Sequence, residues 1–264
     1  LTTMSDYIDL IPENNFEKSL FSEIYQNLTD TPYKIVAKNF GDPMPEIEGD
    51  KIILMNADEQ YRIPEEAKDP SVKMIFKQYC PDYYPNSKLR PIPLGPSKDI
   101  KVKCETNLKD RELDVVFLGQ VAYNRVDIPK LVTEVDNSSL KSFFWLYRGF
   151  NNGLSKSDYS EIMSNAKIAI CPHGTASPET FRFFESMEFG CVPLMNYDLP
   201  DHWFYLPVKQ WEEARVEEFS LASIKNIINK INNEEITNDK YYEYAKSVRG
   251  DKVAEYIKKE MGIR

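Results

Sequence analysis

Apolar residues along this chain fall into two patterns. Short uninterrupted runs, Ile52-Ile53-Leu54-Met55 and Val115-Val116-Phe117-Leu118 among them, stop abruptly at polar residues or glycine, as strands buried in a sheet do. Elsewhere apolar residues recur every three or four positions, as Ile224, Ile227, Ile228 and Ile231 do, which predicts helices with one buried face. In the first third, Tyr7 to Leu28 reads as polar helix or loop, and strands are predicted at Tyr33–Ala37, Lys51–Met55 and Val72–Tyr79. The proline-rich stretch Pro81–Pro96 and the charged segment after it, up to Arg111, read as a linker.

Past that point the pattern becomes regular. A strand at Asp114–Gly119 precedes a helix from Arg125 to Val135, and a strand at Ser142–Tyr147 precedes a helix opened by Ser155-Lys156-Ser157-Asp158, which has the form of a capping box. A strand at Lys167–Cys171 leads to a helix with Ser177 as its cap, Pro178 at its first position and Gly190 at its end, and Val192–Leu194 resumes as strand. Three further helices are predicted near Leu221–Ile231, Lys240–Val248 and Val253–Met261. The alternation predicts an α/β protein with mostly parallel sheets, divided into lobes 1–111 and 112–264, with the last helices free to pack back on the first lobe.

Composition narrows the partners. The 264 residues are 42% hydrophobic and 28% charged, enough for a proper core beneath a solvated surface. A net charge of -9 argues against nucleic acid or anionic lipid as partner, since both need a basic footprint, so any phosphate site must be local. No apolar run reaches the ~18–20 residues of a membrane span. The chain opens on Leu1 rather than methionine, which keeps an upstream signal or anchor open, while the sequence as it stands reads as cytoplasmic. Four cysteines lack any CxxC spacing and read as reduced thiols. Nothing in the sequence speaks to oligomeric state.

The candidate chemistry lies between Cys171 and Glu185. A strand ends in a small, hydroxyl-rich loop, and the helix that follows presents free N–H groups and the positive end of its dipole to whatever fills that loop. Arg182 and Glu185 share a helix face, and spacing alone leaves two readings open. They form either a solvated ion pair or a grip on one nucleotide, with the guanidinium on phosphate and the carboxylate on ribose. Gly119 and Gly174 each follow a strand, where glycine commonly marks only a tight turn. Asp58-Glu59 follows the strand at Lys51–Met55, and polar residues at such strand ends face ligand clefts in open α/β sheets.

The run Phe181-Arg182-Phe183-Phe184-Glu185-Ser186-Met187-Glu188-Phe189-Gly190-Cys191-Val192-Pro193-Leu194, preceded by Ala169-Ile170-Cys171-Pro172-His173-Gly174, resembles the C-terminal hallmark of exostosin-like glycosyltransferases. Their pattern there is roughly C-P-x-G followed by S-x-R-x-x-E-A-x-x-x-G-C-x-P-V. Asp58-Glu59, Ile92-Pro93-Leu94-Gly95 and Phe117-Leu118-Gly119 with Arg125 extend the resemblance over Ile52 to Pro207, more loosely than in the hallmark. The loop departs from the family where Ser177-Pro178-Glu179-Thr180-Phe181 replaces a serine close to the arginine. The chain is similar in length to short stand-alone microbial or large-virus members.

The resemblance implies a GT-B arrangement, two Rossmann-like lobes facing across a cleft, with the nucleotide sugar on the C-terminal lobe and the glycan acceptor on the N-terminal one. Arg182 would then bind the donor phosphates and Glu185 the ribose, with His173, Gly174, Thr175 and Ser177 lining the phosphate loop beside Gly119, and Arg125 supplying a second cation. Such members invert the anomeric centre, so a carboxylate must remove the acceptor proton, and Asp58 or Glu59 is the expected base. Arginine and helix N–H groups can stabilise the leaving diphosphate, so no metal is required. The expected donor is a UDP-sugar, UDP-xylose first. Competing readings are a GT-B fucosyltransferase using GDP-fucose and a carbohydrate- or nucleotide-binding module without catalysis.

Overall fold

In the computed structural model the described residues are 7–29, 31–56, 60–80, 87–97, 100, 106–121, 125, 127–149, 153–174, 177, 179–197 and 213–263. Asp58, Glu59, Thr175 and Pro178 lie outside them. Nine strands are described: β1 (Tyr7–Asp9), β2 (Lys34–Asn39), β3 (Lys51–Asn56), β4 (Val72–Lys77), β5 (Leu89–Pro91), β6 (Leu113–Gln120), β7 (Ser142–Tyr147), β8 (Ala166–Ile170) and β9 (Val192–Leu194). The helices are α1 (Lys18–Gln26), α2 (Ile128–Asp136), α3 (Lys156–Ser164), α4 (Phe181–Glu188), α5 (Leu221–Asn232), α6 (Asp239–Ser247) and α7 (Gly250–Glu260). The first five strands form one sheet and the last four another, and every pairing in both is parallel. The molecule is thus an α/β protein of the GT-B class, with two Rossmann-like units. The first unit draws on the chain up to position 99 and on the C-terminal segment from Lys246, and the second takes most of the chain between Ile100 and Ala245.

In the first unit the strands run in sequence order, β1-β2-β3-β4-β5. Central β3 is buried along its whole length, which is why its four inner residues, Ile52 to Met55, are continuously apolar and do not alternate. One face of the sheet, formed by Ile35, Ala37, Ile52, Leu54 and Phe76, packs against Leu20, Phe21 and Ile24 of α1 and Val253, Ala254 and Ile257 of α7. The two helices also meet each other at Gly250, where an added Cβ would run into the Glu23 Cβ and the main chain of Glu23 and Ile24. Arg90 of β5 donates through Nε to Glu260 at 2.5 Å, tying the end of α7 to the edge of this sheet.

Two elements here depart from the sequence reading. Tyr7–Asp9, expected as helix or loop, pairs as β1 with β2. Leu89–Pro91, within the stretch read as a linker, pairs as β5 with β4. A proline can hold an edge position because the N–H it lacks is needed only on the paired side, so proline density concealed a strand.

In the second unit the order is β7-β6-β8-β9. The chain passes from β6 to β7 on one side and returns to β8 on the other, so the direction of winding reverses between β6 and β8. Arg111, buried, staples this unit from below: its guanidinium donates to Ala166 O and Phe189 O, both at 2.7 Å, and meets the Cys191 Sγ at 3.4 Å. Ser155 caps α3 by accepting from the Asp158 N–H, in line with its reading as a helix start. Helix α4 begins later than the sequence suggested. Its cap is Thr180, which accepts from the Phe183 N–H, whereas Ser177 accepts from the Glu179 N–H and shapes the preceding loop. Gly190 ends the helix at φ +64°, where its missing Cβ also makes room for the Tyr242 ring.

Candidate functional site

In an open parallel sheet the crevice at the carboxyl ends of the strands where winding reverses is the place a ligand can enter, because the loops there diverge to opposite faces. In the second unit that crevice lies between the ends of β6 and β8, and two arginines occupy it. Arg182, from the first turn of α4, reaches back to β6 and donates through Nε and Nη2 to Leu118 O at 3.0 and 2.5 Å. Its guanidinium also lies 4.8 Å from the centre of the Phe117 ring. Gly119 makes this approach possible, since a Cβ at that position would overlap the guanidinium itself. Arg125, from the loop after β6, donates through Nη1 to Gln120 O at 2.9 Å and through Nε and Nη2 to His173 O at 3.2 and 3.1 Å.

Both guanidiniums are therefore held by carbonyl oxygens at the ends of β6 and β8, and neither forms an ion pair with a carboxylate among the described residues. Burial, and after it the positive charge of Arg182, lowers the Arg125 pKa to about 10. Two like charges brought together with dipoles alone to stabilise them leave an electrostatic deficit that a bound anion would fill. The Tyr197 hydroxyl stands close by: burial and the neighbouring Cys171 push its pKa well above the ordinary phenol range, while both guanidiniums pull against that shift.

Arg182 and Glu185, which the sequence placed on one helix face, do not pair with each other. Glu185 is buried and accepts a 2.5 Å hydrogen bond from the Tyr159 hydroxyl of α3, whose pKa burial and that carboxylate hold far above its usual value. His173 is half-buried, its Nδ1 lies 2.6 Å from Gly174 O, and its ring meets the Tyr197 ring edge-on at 5.7 Å. Gly174 is buried, and a Cβ there would come within 2.5 Å of Ser177 O, closer than it would tolerate. Ser177 is fully buried, its hydroxyl committed to the loop backbone. The structure thus brings Gly119, Arg125, His173, Gly174 and Arg182 into one crevice, with Ser177 behind the loop and Glu185 one helical turn along.

Two contributors escaped the sequence reading. Tyr159 falls on the apolar stripe of α3, where an aromatic reads as core, and only the neighbouring carboxylate gives it a second role. Tyr197 follows β9 by three residues in a segment with no periodic signal.

No known protein family's profile matches the chain, and no curated protein matches its sequence. Among solved structures the fold is similar to that of a crystal structure of an alpha1,3-fucosyltransferase, with a TM-score of 0.52 at 10% sequence identity, over 96% of this chain and 88% of that one. At that identity the likeness speaks to fold. No helix among the described residues is long and apolar enough to cross a membrane.

Proposed function

We propose that the chain transfers a sugar from a nucleoside-diphosphate donor to a hydroxyl of a glycan acceptor, and that the crevice between β6 and β8 holds the donor's diphosphate. The observation that carries this reading is the pair Arg125 and Arg182, two guanidiniums fixed by strand-end carbonyls with no described carboxylate to neutralise them. A diphosphate supplies the missing charge, and it gains more when it departs, because the bond to the sugar carbon breaks toward its oxygen. Cations already fixed at that point stabilise the leaving group without reorganising, which lowers the barrier. The carboxylate of Glu185, one oxygen of which Tyr159 fixes, is assigned to the ribose by its place in the exostosin-like hallmark.

The resemblance to exostosin-like enzymes favours a UDP-sugar, with UDP-xylose first because the short stand-alone members include xylosyltransferases. A second reading, GDP-fucose, is compatible with the likeness of the fold to that of an alpha1,3-fucosyltransferase. Calorimetric titration with UDP and GDP separates the two and tests the site itself. Arg182→Ala and Arg125→Ala are each expected to weaken binding of the preferred nucleotide by about 1–3 kcal/mol, the range for a charge-assisted hydrogen bond. Unaltered affinity in both variants would remove the diphosphate from this crevice.

A further inference from the structure

Beside the two arginines of the second unit stands one more hydrogen-bond donor, the Tyr197 hydroxyl, and the fold fixes where it sits. Leu194, the last residue of β9, accepts from the Cys171 N–H at 2.8 Å, so the end of β9 lies against the end of β8. Met195 is held on both sides, its N–H donating to Ala214 O at 2.9 Å and its carbonyl oxygen accepting from the Val216 N–H at 2.8 Å. Tyr197 leaves this anchored point two residues on, and its ring meets the His173 ring edge-on at 5.7 Å. His173 is the residue whose carbonyl oxygen Arg125 grips through Nε and Nη2. The tyrosine, the loop after β8 and the first guanidinium are thus linked by direct contacts within one unit.

The ring is half-buried, yet the hydroxyl oxygen at its tip is sealed from solvent and meets no hydrogen-bond partner among the described residues. Burial above all, and the neighbouring Cys171, hold its pKa well above the ordinary phenol range, so the proton stays on it. Both guanidiniums act against that shift, and so, least of all, does the Thr180 hydroxyl, whose lowering effect is that of a donor. What lacks a partner is therefore the phenol proton. Arg125 and Arg182, whose charges it feels, are donors only and cannot accept it, and the Cys171 sulfur, kept as a thiol by burial, is a weak acceptor. A buried donor without an acceptor destabilises a fold, and such groups are rare enough that each requires a cause. Carbonyl oxygens account for both guanidiniums. For the phenol proton, the acceptor that the chemistry of this crevice leaves is an anion.

We propose that the Tyr197 hydroxyl is a third donor to the anion held by Arg125 and Arg182, giving its hydrogen bond to a phosphate oxygen; that the anion is a nucleoside diphosphate rests on the transfer reading above. The two guanidiniums supply charge, and the phenol, which is neutral, supplies direction: it fixes which way one phosphate oxygen points without adding to the repulsion between the cations. No proton changes hands at the tyrosine. When the bond between the sugar carbon and the diphosphate breaks, both electrons go to the diphosphate oxygen, and the charge spread over the phosphate oxygens grows. A hydrogen bond to one of them strengthens as that happens, so the contact that binds the donor also favours the departure of its diphosphate. In the free chain the unspent proton is destabilising, and binding of the anion removes that penalty.

Tyr197→Phe tests this, because it keeps the ring against His173 and removes only the hydroxyl. Calorimetric titration with UDP, GDP and inorganic pyrophosphate is measured on the wild-type chain and the variant, beside thermal unfolding of each without ligand. The free variant is expected to unfold at the wild-type temperature or above it, since the atom removed has no partner to lose. Its affinity for pyrophosphate and for the preferred nucleotide is expected to fall about 10-fold or more, the scale of a hydrogen bond to a charged group. Loss of affinity with stability kept is the combination a merely structural hydroxyl would not produce. Unchanged affinity in Tyr197→Phe overturns the proposal, and so does a free variant that unfolds at a markedly lower temperature, because the hydroxyl would then be bonded within the protein. A wild-type chain that binds pyrophosphate more tightly than Tyr197→Phe does, but binds neither nucleotide, upholds Tyr197 as an anion donor and overturns the nucleotide reading alone. A chain that binds none of the three overturns both.

Discussion

The two sheets of this molecule are built alike and end differently. Both are fully parallel among the described residues, and both collect polar groups at their carboxyl ends. In the second unit the winding reverses between β6 and β8, and the groups gathered there are two guanidiniums bonded to main-chain oxygens. In the first unit the strands follow one another without reversal, and the described groups gathered there are the amides of Asn39, Asn56 and Gln78, the buried Glu17 carboxylate and the buried Lys77 ammonium, which donates to Gln78 O and Tyr79 O. The scaffold brings polar groups together at each sheet's carboxyl end, and the charge they carry differs between the two. A cationic crevice suits an anion, and in a chain carrying net charge -9 such a site is local.

The sharpest way to break that comparison is through the energetic cost of keeping Glu17 unpaired. Its folded-state pKa, about 7, lies above the 4.5 of an unperturbed glutamate. The folded chain therefore binds the extra proton between those values, so the contribution is complete below the lower one and is lost as pH rises through the upper one. Above pH 7 the folded state holds a desolvated charge, a penalty on the order of 3 kcal/mol. Glu17→Gln, neutral at every pH, is expected to be increasingly more stable than wild type from pH 5 to pH 8 in urea unfolding. A stability difference that does not change with pH would show that burial of this group carries no such penalty.

Gly250 and Gly119 offer the same chemical change, one in each unit. At Gly250 the added methyl would meet the main chain of Glu23 and Ile24, which cannot move without parting α7 from α1. Gly250→Ala is expected to cost about 2 kcal/mol of stability, in the range for overpacked contacts, and to leave nucleotide affinity as it was. Thermal unfolding and calorimetry on the same sample check both halves, and a loss of affinity without a loss of stability would reverse the assignment.

The regular parts of the fold were legible in the sequence because burial dictates composition. β6, β7 and β9 fall at or within a residue of the strands their apolar runs predicted, and the isoleucines at helical spacing give α5 its buried face. What escaped were elements whose sequences obey a second constraint. Proline marks an edge strand at β5 as readily as a linker, and β1 is three residues long, too short to show a period. Ser177-Pro178 has the form of a helix start, but Thr180 wins the cap because its hydroxyl meets the Phe183 N–H three residues on, while Ser177 turns to Glu179. At the site, Arg182 and Gly119 were singled out separately, yet the reason they belong together is steric and sixty-odd positions apart in the chain. Glu17 gave no signal at all, since a lone glutamate before a helix is an ordinary surface residue until its surroundings are seen.

That steric link between Gly119 and Arg182 supplies the finest test. A methyl at Gly119 would first meet the far end of a flexible side chain, so Gly119→Ala is expected to fold with little loss while swinging the Arg182 guanidinium off Leu118 O. Nucleotide affinity should then fall about tenfold, some 1.4 kcal/mol, without removal of any charged group. Adding Gly119→Ala to Arg182→Ala should change nothing further, because the methyl acts only through the arginine that is already gone. Additive losses in the double variant would mean that Gly119 touches the nucleotide through its own backbone, and the crevice would then be read as a place where main chain and cation grip the diphosphate side by side.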